Sequence, residues 1–163
     1  MVDTFQPEGA NQQLRKRRMT IYLAEDDHDL RTTLALLLRK DGHEVIESEN
    51  GIELLTDLSF NHVHGRKNAK DVLVVTDLRM PKAEGLTIIR ALHERGRCPR
   101  YVLMTAFANA EIRQAAAGLG ALAIFDKPFD LDELRGLVRR LAAEEEPADA
   151  VTPAPLPSAP ATR

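Results

Sequence analysis

Apolar positions between residues 19 and 143 fall into two kinds of segment that alternate along the chain. One kind is a short run of branched or bulky residues. MTIYLA (19–24), DVLVVT (71–76), RYVLMT (100–105) and ALAIF (121–125) belong to it, with HEVIES (43–48) as a more polar member. Runs of this length with little alternation predict strands covered on both faces. The other kind repeats at helical spacing. Leu30, Leu34, Leu37 and Leu38 mark one face of a first helix that closes near Gly42. GIELLTDLSF (51–60) predicts a second helix, followed by a long polar connection, NHVHGRKNAK (61–70). Leu86, Ile89 and Leu92 mark a third, stopped near Gly96, and NAEIRQAAAGLG (109–120) reads as an alanine-rich fourth. Leu131, Leu134, Leu137, Val138 and Leu141 give a fifth, with Asp130 placed to cap it. Strands that alternate with helices imply a parallel sheet between two helical layers, and right-handed crossovers favour a doubly wound α/β fold.

The two ends differ from this middle. Residues 1–18 are polar, without periodicity, and finish in the basic cluster RKRR (15–18). That cluster has no aromatic interleaving, so it reads as a solvated basic arm rather than a nucleic-acid contact. Residues 144–163 open with EEE (144–146), the expected frayed end of the fifth helix. They continue in a Pro/Ala-rich tail whose five prolines exclude regular helix. The expected organisation is a flexible arm (1–18), one domain (19–143) and a disordered tail (144–163). A chain of 163 residues suffices for one core, and its 44% hydrophobic and 29% charged residues are ordinary. The net charge of −3 suggests no polyanion partner. Cys98 is the only cysteine, so no disulfide forms within the chain, and it reads as a small packed side chain. No apolar run reaches a membrane span of about 18 residues, and the N-terminus does not read as a secretory signal. A cytoplasmic location follows as the expectation.

In doubly wound folds, ligands bind beyond the carboxyl ends of the strands. The first strand ends on Glu25 and Asp26, the third on Asp77 and the fourth on Thr105; Lys127 and Pro128 follow the fifth. Two carboxylates about 4 Å apart repel by roughly 4 kcal/mol at an effective dielectric near 20, so a proton or a cation must relieve the cluster. Oxygen ligands without His or thiolate favour a hard divalent cation, Mg²⁺ or Mn²⁺. An ionised Asp77 beside a cation, with the Lys127 ammonium and the Thr105 hydroxyl close by, is equipped for phosphoryl transfer onto a carboxylate. A purely structural ion cluster would not require separate strand ends to agree. His62 and His64 lack a third ligand and read as part of a solvated loop, and His28 as a solvated helix-start residue.

EDD (25–27), DLRMP (77–81), TA (105–106) and KPF (127–129) stand in that order at successive strand ends. From about Thr20 to Ala143 the chain thereby resembles the receiver domain of two-component response regulators. The resemblance implies a (βα)5 flavodoxin-like three-layer sandwich with a five-stranded parallel sheet of order 2-1-3-4-5. It implies that Asp77 accepts a phosphoryl group from a histidine kinase or histidine phosphotransfer protein. Asp26 would bind Mg²⁺ directly, Glu25 chiefly through water, and the backbone carbonyl of Arg79 would complete the protein ligands. Lys127 would pair with Asp77 and then with its phosphate, Thr105 would turn toward the phosphoryl oxygen, and Lys127–Pro128 would be cis. Asp27 belongs to the turn into the first helix. A phosphorylated Asp77 would repack the face of the fourth helix, fifth strand and fifth helix, which would bind a downstream protein. The expected protein is a stand-alone switch in phosphorelay signalling, catalysing only its own phosphorylation and slow dephosphorylation. It would need neither a membrane nor nucleic acid at the folded domain.

Several positions depart from the family or vary within it. The family's Tyr or Phe three residues before the lysine is Ile124 here, and the neighbouring aromatic, Phe125, should point to the opposite face. Arg79 and Phe107, each two residues past a site residue, would hinder an attacking water and slow phosphate loss. Ala106 is small and keeps the approach open. A Mg²⁺-dependent aspartyl-phosphate phosphatase would need an acid two residues after the nucleophile, where Arg79 stands and has no proton to give. A non-phosphorylated scaffold would be indifferent to Asp77→Asn.

Overall fold

A computed structural model describes residues 17–64 and 69–143 of the chain. Its elements are β1 (Thr20–Ala24), α1 (His28–Lys40), β2 (Glu44–Ser48), α2 (Gly51–His64), β3 (Val72–Asp77), α3 (Gly85–Glu94), β4 (Arg100–Thr105), α4 (Ala110–Gly118), β5 (Ala123–Asp126) and α5 (Leu131–Ala143), with a 3-10 turn at Ala69–Asp71 before β3. The strands form one five-stranded sheet in the order β2-β1-β3-β4-β5, every neighbouring pair parallel. The expected doubly wound architecture and strand order are those observed.

Successive strand residues face opposite sides of a sheet, so each unbroken apolar run supplies two cores. Ile21, Leu23, Leu73, Val75, Val102 and Met104 pack with Leu34 and Leu38 of α1 and Leu134, Val138 and Leu141 of α5. Tyr22, Ala24, Val72, Val74, Tyr101 and Leu103 pack with Leu54 and Leu58 of α2, Ile88, Ile89 and Leu92 of α3, and Ala116 of α4. β3 is buried along its whole length, and full burial of each Val or Leu contributes about 1.5–3 kcal/mol. The middle strand is thus a rigid mount for whatever stands at its end.

Local signals mark the helix starts. Asp27 caps α1 by accepting the Leu30 N–H at 2.9 Å, and Asn109 caps α4 by accepting that of Ile112 at 2.9 Å. Asp130 Oδ1 accepts the Asp132 N–H at 2.9 Å at the start of α5. Gly42 and Gly120, just past α1 and α4, have φ of 96° and 83°, the left-handed region that glycine occupies freely.

Two boundaries differ from the sequence pattern. α2 runs to His64 rather than stopping at Phe60. No glycine or proline intervenes before Gly65, so helical backbone continues after the apolar stripe has ended. The fifth strand is Ala123–Asp126 rather than 121–125, because its register is set by Val102↔Ala123 through Thr105↔Asp126. Arg17 is also not the solvated residue expected of the basic arm. Its N–H donates to the Ala142 carbonyl at 3.0 Å, and its guanidinium lies 3.4 Å from Asp71. The carbonyl-rich end of a helix favours a cation, which places Arg17 at α5. The rest of the arm, residues 65–68 and the tail lie outside the described residues. Among the described residues no helix is long and apolar enough to cross a membrane.

Candidate functional site

The carboxyl ends of β1, β3, β4 and β5 converge on one edge of the sheet. At the end of β1, Glu25 is fully buried and its N–H donates to the Ser48 carbonyl at 3.1 Å. Its carboxylate accepts the Lys127 ammonium at 2.6 Å and the Asp27 N–H at 3.2 Å. Asp26, next in the turn, is exposed. Asp77 is 6% exposed, and its Oδ1 accepts the Leu78 N–H at 2.9 Å and lies 3.3 Å from Lys127 Nζ. Thr105 is buried, with Oγ1 accepting the Phe107 N–H at 3.0 Å. Its carbonyl accepts the Lys127 N–H at 2.7 Å, which ties the ends of β4 and β5 together. The Lys127–Pro128 peptide is cis.

The ionisation pattern follows from this crowding. Burial pushes the Asp77 carboxyl above its ordinary value; Lys127 and the Leu78 N–H oppose that, and the Asp26 charge adds to it. Glu25 is raised for the same first reason, against the Lys127 hydrogen bond and charge. Burial works against the Lys127 ammonium, but Glu25 and Asp77 outweigh it and leave Lys127 above its ordinary value. The expected Lys127–Asp77 pair is therefore present, but the shorter contact is to Glu25. One cation serves two buried carboxylates and leaves Asp26 facing solvent.

Glu25, Asp26 and Asp77 each offer a carboxylate oxygen within 4.8 Å of the others. An all-oxygen donor set with surplus negative charge fits a hard divalent cation.

The flanking residues sort by face. Arg79 and Phe107 meet, the guanidinium carbon 4.8 Å from the ring centroid, at the rim of a cleft of about 500 Å³ that Ala106, Asn109, Ile112 and Asp126 also line. Ile124 packs in the core shared by α2, α3 and α4, whereas Phe125 packs in the α1/α5 core with its ring 5.1 Å from that of Phe129. Phe125 therefore occupies the wrong layer to replace an aromatic at position 124. His28 lies 3.2 Å from Arg31 at the start of α1. His62 and His64 belong to the last turn of α2, with side chains outside the described residues.

Sequence reasoning missed Gly85. A Cβ there would lie 2.3 Å from the Asp77 carbonyl oxygen and 2.7 Å from Thr76 Oγ1, so α3 starts against the backbone that carries Asp77. No local signal marks it, because the cost of glycine in a helix interior does not apply in full at the first position. Arg31, which donates to the Glu25 carbonyl at 2.6 Å, was also missed.

A family model described as the response regulator receiver domain matches residues 21–139. The chain belongs to this family. Receiver domains of two-component response regulators act in phosphorelay signalling, and they interact with histidine kinases or phosphotransfer proteins. Among similar proteins, the sporulation initiation phosphotransferase F of Bacillus subtilis is 29% identical over 120 residues, 74% of this chain and 90% of that protein. The response regulator MprA of a Mycobacterium species is 34% identical over 131 residues, but the match spans only 54% of its length. A separate match to the DNA-binding transcriptional regulator NtrC of Escherichia coli, 31% identical over 124 residues, spans 25% of that protein's length. Among solved structures, the chemotaxis protein CheY4 of Vibrio cholerae aligns with a TM-score of 0.63 at 20% identity, over 76% of this chain and 98% of that one. At that identity the likeness shows the fold alone.

Proposed function

We propose that this receiver takes a phosphoryl group onto Asp77 from the phosphohistidine of a kinase or histidine phosphotransfer protein. The observation that carries the reading is the meeting of Glu25, Asp26 and Asp77 within 4.8 Å, with Lys127 Nζ 3.3 Å from Asp77. An Asp77 carboxylate oxygen attacks phosphorus and forms the acyl phosphate. The phosphorus–nitrogen bond of the donor breaks, its electron pair stays on the imidazole, and water later hydrolyses the acyl phosphate. Glu25, Asp26, Asp77 and the backbone carbonyl of Arg79 would hold Mg²⁺ or Mn²⁺. When bound, the cation neutralises charge on the carboxylates and the phosphoryl oxygens. Lys127 balances the added charge from the β5 side.

The phosphoryl group adds strong acceptor oxygens beside Thr105. Its hydroxyl turns to donate to one of them, which releases the Phe107 N–H it now accepts. The start of α4 shifts, and the surface of α4, β5 and α5 changes its affinity for a downstream protein. With Ile124 in the aromatic's place, this switch runs through Thr105 and α4.

Incubation of the protein with acetyl phosphate and Mg²⁺ should add one phosphate by intact mass, and Asp77→Asn should abolish it. No adduct from any small donor or histidine kinase would sink the reading. The Arg79–Phe107 contact screens the acyl phosphate from water, so its loss should be slow. Arg79→Ala and Phe107→Ala should each shorten the phosphate half-life several-fold; a wild-type half-life of seconds would contradict the screen.

A further inference from the structure

We infer that Arg31 is a positioning residue that, through the Glu25–Asp26 peptide, fixes the backbone from which the Asp26 carboxylate projects. Arg31 stands in the first turn of α1 with only 12% of its side chain exposed. One terminal nitrogen donates to the Glu25 carbonyl at 2.6 Å, the other lies 3.2 Å from His28 Nδ1, and Nε lies 3.7 Å from the Glu47 carboxylate. Glu47, on β2, is itself held by Arg39 at 2.7 Å. The guanidinium therefore spans the end of β1, the neighbouring strand and the start of α1.

Ordering an arginine side chain costs about 2 kcal/mol of rotamer entropy, a cost that a fixed backbone contact offsets. The peptide unit is planar, so holding the Glu25 carbonyl also fixes the nitrogen and Cα of Asp26. Three other groups of this turn have partners. The Glu25 N–H bonds to Ser48, the Asp27 N–H to the Glu25 carboxylate, and the Asp27 carboxylate to the Leu30 N–H. Among the described residues the Asp26 carboxylate has no hydrogen bond or ion pair of its own, so its backbone is what ties it to the turn. Arg31 supplies this backbone constraint without taking a ligand position. A backbone partner of this kind acts on the metal site as an outer shell does.

The inference rests on the reading that the acidic turn holds a divalent cation, and the test separates the two. Mg²⁺ affinity is measured by calorimetry on the full-length wild type, Arg31→Met, Arg31→Lys and Glu47→Gln. Amide NMR shifts of Asp26 and Asp27 are recorded without metal. Arg31→Met should weaken Mg²⁺ binding about tenfold and move both amide signals. The Mg²⁺ concentration that gives half its maximal phosphorylation rate by acetyl phosphate should rise by about the same tenfold factor. Arg31→Lys should recover part of the affinity. Glu47→Gln should weaken binding less than Arg31→Met, and the two should not add in the double variant, because they act through one contact. Wild-type affinity in Arg31→Met, with its melting temperature lowered, would assign Arg31 to fold stability and overturn the inference alone. A wild type that binds no Mg²⁺ would overturn both the cation reading and this role.

Discussion

At the scale of single residues, Asp77 sits where ionisation is opposed by burial. Its pKa lies above the ordinary carboxylate value, so between the two values the folded state binds more protons than the unfolded state. The associated stability is present below the unfolded value and is lost as pH rises through the folded one. At neutral pH the ionised carboxylate therefore costs stability. Asp77→Asn should melt at a higher temperature than wild type without metal, and Lys127 keeps its 2.6 Å partner Glu25 in the variant. The difference should shrink in acid, where Asp77 is protonated in both states, and saturating Mg²⁺ should raise the wild type more than the variant. Calorimetric melts across pH check this, and a lower melting variant would mean that the Lys127 pair outweighs burial. Tyr101 offers a second residue-level case. Its phenol is fully buried and donates to the Ala116 carbonyl at 2.8 Å, and burial pushes it up to about 12. The same sign applies: stability tied to the neutral phenol is lost between the ordinary value near 10 and about 12. Tyr101→Phe should cost about 1 kcal/mol at neutral pH, since Ala116 still accepts the Leu119 and Ala121 N–H groups. The gap between wild type and variant should narrow over that alkaline window in urea titrations.

At the scale of elements, the site depends on how closely α3 approaches the end of β3. Gly85→Ala would drive a methyl group to 2.3 Å from the Asp77 carbonyl, and a backbone cannot yield as a flexible side chain does. The expected cost is about 1–3 kcal/mol, with a slower phosphorylation rate in the protein that remains folded because Asp77 is displaced. Gly118→Ala, in open space at the end of α4, should be neutral or stabilising by about 0.5 kcal/mol. Equal urea midpoints for Gly85→Ala and wild type would refute the close-approach role. This contrast explains what the sequence could show. β1, β3 and β4 were legible because strands buried on both faces leave unbroken apolar runs, and the meeting of Glu25, Asp26, Asp77, Thr105 and Lys127 at one sheet edge was legible because the strand ends locate them. The far end of α2 was not legible, because its last turn carries no apolar stripe. The start of β5 was set by pairing with β4 rather than by its own composition. Gly85 and Arg31 act on backbone carbonyls brought near by the fold, and no local pattern records such a partner.

At the scale of the whole molecule, the two helices that cover one face of the sheet come from opposite ends of the domain and must be joined. Asp41, just past α1, receives Arg135 of α5 in a bidentate pair: Nε to Oδ2 at 2.8 Å and a terminal nitrogen to Oδ1 at 2.7 Å. Arg139, one turn along α5, lies 3.7 Å from the same carboxylate. Both members of the main pair are largely covered, at 14% and 18% exposure, so salt screens it less than a surface pair. The clamp links residues 94 positions apart at the rim of the α1/α5 core. The Arg135 hydrogen bonds, followed by its charge and that of Arg139, hold the Asp41 carboxyl below its ordinary value against the effect of burial. For a lowered carboxylate the sign reverses from that of Asp77. Its stabilisation is fully present above the unfolded pKa and is lost as pH falls through the folded one. Asp41→Asn should therefore lower the urea midpoint at neutral pH, and the gap to wild type should close as acid protonates Asp41 in the wild type. Asp77 is held by different elements, so Asp41→Asn should still take up phosphate at the wild-type rate while folded. A midpoint difference that stays constant from neutral to acid pH would show that packing, rather than the charged clamp, joins the two ends of the domain.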